Sequence, residues 1–148
     1  MIKNMTEIFI SSDNILSPIG LTTADNFSQL KQNVSGIKLH DDKMMSELPF
    51  QAALFADENF YNNNSQNKYT RFEKLLIASI TNALANSGII ATDKKTILII
   101  SSTKGNISLL ERETTSESLN KRISLNTSAK LVADHFGFTT QPVVISNA

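Results

Sequence analysis

The chain has 148 residues, 41% of them hydrophobic and 19% charged, the balance of a folded globular domain rather than a disordered segment. Its 14 basic and 14 acidic side chains cancel, which removes the broad field expected of a nucleic-acid or anionic-lipid binder. Cysteine is absent, so disulfides, thiolate metal sites and a cysteine nucleophile are excluded within these residues.

No apolar run approaches the roughly 18 residues of a membrane span. The opening MIKNMTEIFISSD lacks a signal-peptide core and cleavage site. The expectation is one cytoplasmic domain over residues 1–148, with neither membrane nor nucleic acid as partner. The N-x-S/T triplets at Asn26, Asn33, Asn106 and Asn126 are chance products of an asparagine-rich chain.

In chain order, Glu7–Ser11 reads as a strand, with Ile8, Phe9 and Ile10 suited to burial on both faces. Pro18 and Gly20 in ILSPIG mark a turn. Thr22 or Thr23 can cap a helix with Asp25 in its first turn. Phe27, Leu30 and Val34 fall on one helical face, and Gly36 supplies a stop. PFQAALF suits a short strand and YNNNSQNK a polar loop.

TRFEKLLIASITNALANSG is the strongest helical segment. Thr70 and Glu73 have the spacing of a capping box. Phe72, Leu75, Leu76, Ser79, Ile80, Ala83 and Leu84 line one face, and Gly88 is placed for a left-handed stop. Ile97–Ile100 then read as an interior parallel strand covered on both faces. A helical stretch is expected near Ile107 and a polar loop over 114–122. A further helix over SLNTSAKLVADHFG has Asn126 or Thr127 as cap, Ala129, Val132, Ala133 and Phe136 buried, and Gly137 as stop. Val143–Ser146 form a closing strand, so 97–146 make a right-handed strand–helix–strand crossover. The fold class is layered α/β.

Few residues invite chemistry. His40, Asp41 and Asp42 could in principle draw a metal, but the remaining ligands are not identifiable and a solvated turn explains them better. His135 sits near a helix end, where a cation is favoured locally. Lys104 and Gly105 in SSTKGN suggest an anion loop, yet neither the Walker pattern nor the three-glycine dinucleotide fingerprint is present. Gly105 is better read as a special backbone angle or a close chain approach. No G-x-S-x-G nucleophile elbow occurs. No cofactor and no metal are expected.

Taken in order, several segments resemble the β-ketoacyl-acyl carrier protein synthases. ILSPIG resembles their opening turn and NFSQLKQNVSGIK their first helix. YTRFEKLLIASITNALANSGI resembles their alanine-rich helix. TILIISSTKGN is similar to the next strand and its glycine-containing loop, and PVVISNA to the strand that leads to the active site. The resemblance implies a thiolase-like half-fold with a mixed, largely parallel sheet and flanking helices. It also implies that Ser146, Asn147 and Ala148 form the approach to a nucleophilic cysteine that would come next. The family's supporting histidines and lysine would lie further on, so 1–148 alone is expected to be inactive.

By position, Thr103, Lys104 and Gly105 correspond to a loop that lines the acyl pocket near the family's dimer interface. Here Lys104 stands where an apolar residue is usual, and its ammonium is expected to turn toward water or a carboxylate. The implied partners are an acyl carrier protein and a second subunit, as a homodimer or a ketosynthase-like heterodimer. Two other readings stay open: a non-catalytic ketosynthase-like binding subunit, and a flavodoxin-like small-molecule binder.

Overall fold

The computed structural model describes residues 7–56, 68–111 and 116–146. They form a mixed α/β arrangement of four α-helices and two small sheets, one antiparallel and one parallel.

Helix α1, Thr23–Lys31, begins where Thr22 accepts a hydrogen bond from the Asp25 amide. Its buried residue is Asn26, whereas Phe27, Leu30 and Val34 are exposed, contrary to the face expected from their spacing. The reason is local. The Asn26 side-chain amide points at the carbonyls of Ile15, Gly20 and Thr22, and its carbonyl oxygen accepts from the Ser17 hydroxyl. The turn before α1 is thereby fastened to the helix by polar contacts. Gly20 is required there, because a Cβ would stand 2.7 Å from the Asn26 nitrogen. Helix α1 ends near Asn33, which takes a positive φ of 56°, and Gly36 is not its stop.

Strands β1, Ile37–His40, and β2, Phe50–Ala53, pair antiparallel with Ile37 opposite Ala53 and His40 opposite Phe50. The expected strand in PFQAALF is β2; its partner β1 was not anticipated.

Helix α2, Arg71–Ala85, starts with the expected capping box between Thr70 and Glu73. Strand β3, Ile99–Ser101, is followed by a 3-10 stretch over Ile107–Glu111, then α3, Glu117–Ile123. The loop expected over 114–122 is therefore corrected in its described part. Ser116 caps α3 by accepting from the Leu119 amide, and Lys121 and Arg122 occupy its last turn. Helix α4, Leu125–Phe136, starts at Ser124 without a side-chain cap and ends at Gly137, whose φ is 72°. Strand β4 is Val143–Ile145.

β3 and β4 pair in parallel, Ile99 opposite Val143 and Ser101 opposite Ile145. The core lies on one face of this pair: Leu98 and Ile100 meet Ala129, Val132 and Ala133 of α4, flanked by Leu76, Ile77 and Ile80 of α2. The other face carries Ile97, Ile99, Val143 and Ile145, which are 51%, 55%, 41% and 53% exposed. The strand expected to be covered on both sides is covered on one.

Glu7–Ser11 is not part of a sheet, contrary to expectation. Among the described residues no strand pairs with it. Among the described residues no helix is long and apolar enough to cross a membrane.

Candidate functional site

Parallel pairing brings two sequence-predicted segments together. β3 and β4 run in the same direction with Ser101 beside Ile145, so the 102–105 loop and Ser146 leave the sheet at the same end. The Ser102 amide extends the ladder by donating to the Ile145 carbonyl at 3.2 Å. In open α/β sheets this carboxyl end is where ligands collect. Asn147 and Ala148, the rest of the expected approach, lie outside the described residues.

The loop is shaped from its own sequence. The Ser102 hydroxyl accepts from the Lys104 and Gly105 amides, folding the chain into a tight turn. Gly105 has φ of 52°, and a Cβ added to it would stand 2.4 Å from Leu125 Cδ2. Both properties expected of it, an unusual angle and a close approach, are present. Thr103 and Lys104 are exposed.

Beneath this loop lies a polar cluster of which the sequence disclosed only the capping box. Glu73 is 0% exposed. Its carboxylate receives a two-pronged salt bridge from Arg122, at 2.5 Å to Oε1 and 2.6 Å to Oε2. Oε1 also accepts from Ser128 Oγ at 2.8 Å, and Oε2 from the Thr70 amide at 2.9 Å. Asn106, equally buried, donates to Ser128 Oγ at 2.9 Å and accepts from Thr70 Oγ1 at 2.6 Å. Every buried side-chain nitrogen and oxygen among the described residues has a partner.

The electrostatics follow from these contacts. Burial alone would raise the Glu73 pKa, but hydrogen bonds from Arg122, the Thr70 amide and Ser128, with the Arg122 charge, hold it below its ordinary value. The same bond to Glu73 raises the Arg122 pKa against the opposing effect of burial. A carboxylate whose pKa is held down and whose oxygens are fully bonded is poorly suited to proton transfer, since a general base works near the ambient pH. The cluster is a brace. It joins the start of α2, residue 106 of the loop, the end of α3 and the first turns of α4. Its members Arg122 and Ser128 could not be found from spacing, because they lie 49 and 55 residues from Glu73.

The other candidates resolve into local structure. His40 stacks on Phe50, and its Nε2 lies 3.1 Å from the Ala52 carbonyl. Asp41 pairs with Lys43, and Asp42 closes a turn by accepting from the Met44 amide. No group able to hold a metal ion occurs among the described residues. His135 Nδ1 lies 3.2 Å from the Tyr69 hydroxyl near the end of α4. An open cleft of about 740 Å³, lined by Lys130, Asp134 and Phe138–Pro142, faces the opposite end of β4 from Ser146. Its charged residues, Lys130 and Asp134, pair with each other at 3.6 Å.

No protein-family model and no curated protein matches the chain.

Proposed function

We propose that residues 1–148 are the N-terminal portion of a β-ketoacyl synthase-like condensing enzyme with thiolase-like layering, serving fatty acid or polyketide/polyene synthesis. The reading rests on the ordered sequence resemblance. The observation that supports it best is the parallel pairing of β3 and β4, which sets the 102–105 loop beside Ser146 at the carboxyl end of the sheet. In this reading Thr103, Lys104 and Gly105 border the acyl pocket, and Ser146, Asn147 and Ala148 lead to the nucleophile.

The parent reaction would begin with attack of a cysteine thiolate on an acyl-carrier thioester, releasing the carrier thiol. Loss of carbon dioxide from malonyl-carrier protein would then give a carbanion that attacks the acyl-enzyme and frees the cysteine. Residues 1–148 contain no cysteine and thus not the nucleophile. Reading the source coding region beyond the Ala148 codon tests the proposal. A cysteine codon next, with two histidines and a lysine further on, is the expected result; an unrelated continuation or a stop codon overturns it. Condensation by the isolated 1–148 chain would equally overturn the assignment of catalysis to later residues.

The exposed apolar face formed by Ile97, Ile99, Val143 and Ile145 favours a second reading, a non-catalytic subunit that binds a synthase-like partner or a second copy. Light scattering over a range of concentrations discriminates. A monomer throughout, unaltered by added acyl carrier protein, counts against it.

A further inference from the structure

We propose that the cavity between the 17–20 turn, the end of α1 and the β1–β2 hairpin binds a small hydroxy acid with an aliphatic body. Lys38 holds its carboxylate and His40 its hydroxyl. The 102–105 loop takes no part in this cavity, and the proposal does not depend on the condensing-enzyme reading.

The cavity measures about 320 Å³ and is bordered by Pro18, Ile19, Val34 and Leu54 on its apolar side and by Lys38 and His40 on its polar side. That volume is near the lower limit for a small-molecule site. Its walls are fixed by contacts within the chain. Ser17 and Gly20 exchange backbone hydrogen bonds across the turn, and Asn26 fastens the turn to α1. Gly36 lets the turn approach the hairpin, since a Cβ there would stand 3.0 Å from Ile19 Cγ2 and 3.6 Å from Ala53 Cβ. Alternation along β1 turns Lys38 and His40 to the cavity and Ile37 and Leu39 away from it.

Two polar groups here lack a complement. His40 Nε2 lies 3.1 Å from the Ala52 carbonyl. A carbonyl only accepts, so Nε2 carries the proton, and in the neutral ring Nδ1 is left as an acceptor. Among the described residues no donor meets Nδ1 and no acceptor meets Lys38 Nζ. Every buried side-chain nitrogen among those residues has a partner, so the unpartnered Nδ1 is within reach of solvent. No acidic side chain lines the cavity. Val34 and Leu54 remain 38% and 39% exposed, and an aliphatic body laid on them would remove that surface from water.

These features select one ligand chemistry. Lys38 and His40 stand two residues apart on one strand face, roughly 7 Å between Cα atoms. A molecule carrying a carboxylate and a neighbouring hydroxyl reaches both: the carboxylate accepts from the ammonium, and the hydroxyl donates to Nδ1. An amino group in place of the hydroxyl would set a second cation beside Lys38, so the hydroxy acid fits better than the amino acid. The volume is that of about ten waters, room enough for a six-carbon acid.

The test follows the backbone amide resonances of the whole chain at about pH 8, above the range in which histidine charges. The probe is 2-hydroxy-4-methylpentanoate. The expected result is saturable shifts centred on 19–20, 34–40 and 54–56, with a dissociation constant on the order of 1 mM, the scale of a fragment in an open site. Lys38→Gln, or the uncharged 2-hydroxy-4-methylpentanamide as probe, is expected to weaken binding about tenfold. Loss of the hydroxyl, in 4-methylpentanoate, is expected to weaken it about fivefold. His40→Phe keeps a ring against Phe50 and should erase that preference, so that the two acids bind alike. Lys38 is exposed, and unchanged resonances away from the cavity verify that its replacement leaves the fold intact. Absence of shifts at about 20 mM probe, well above the expected constant, overturns the proposal. So does binding indifferent to Lys38→Gln, a hydroxyl preference that survives His40→Phe, or shifts centred on the 126–142 cleft instead.

Discussion

Arg122 and Glu73 illustrate what a single contact decides. Glu73 has lost its water, and Arg122 supplies both the opposing charge and two hydrogen bonds. Removing one partner of such a pair leaves a buried charge uncompensated, which destabilises by roughly 3–5 kcal/mol. Arg122→Met is expected to lower the unfolding free energy by about that amount in urea titrations, and Glu73→Gln by less, since the guanidinium it leaves without a counter-charge keeps 28% of its surface in water whereas the carboxylate has none. The pH dependence has a definite sign. The folded-state pKa of Glu73 lies below its ordinary 4.5, so its contribution is complete above that value and is lost as pH falls through the lowered folded pKa. Unfolding measured from neutral pH down into the acid range should show this loss in the native chain, with a shallower fall in Glu73→Gln. Gly105 is a second decisive position. Alanine there meets both the left-handed backbone and Leu125, and a loss of about 1–3 kcal/mol is expected in the same titrations. The capping box and the special role of Gly105 were legible because both are local patterns. The remaining members of the brace were not, because only tertiary folding brings residues 106, 122 and 128 to Glu73.

Elements were readable where their stabilising signals lie within a few residues. α2 carries a cap and a long apolar stripe, and α4 a stripe and a left-handed glycine stop. α3 escaped because its seven residues show too short a period, although Ser116 was an available cap signal. Replacing Ser116 with alanine should lower stability by about 1 kcal/mol and raise hydrogen exchange first in the α3 amides. In α1 the apolar spacing misled, since the energetically important side chain is the amide of Asn26 rather than Phe27 or Leu30. β1 is a four-residue strand whose pairing with β2 is a non-local choice that periodicity does not specify. Asn26→Leu tests this assignment. It removes the bonds to three carbonyls and is expected to destabilise the turn before α1 by about 1–3 kcal/mol, despite its greater apolarity.

For the molecule as a whole, the coarse α/β class was legible from alternating strand and helix signals, and the covered face of its parallel strands was not. Composition does not say which face of a strand is covered, and the sheet of β3 and β4 has one core face and one open apolar face. Ile99→Lys on the open face should change monomer stability by no more than about 0.5 kcal/mol. If that face seats a partner, the same change should abolish association in light scattering. The brace also has a temporal consequence. Glu73 and Arg122 are 49 positions apart, so at synthesis rates of 5–20 residues per second the carboxylate leaves the ribosome about 2–10 s before its guanidinium partner. During that interval α2 can form its own capping box, yet it has no means of seating the carboxylate away from water. The later segment that carries Arg122 and Ser128 therefore acts as the latch on a helix synthesised seconds before it.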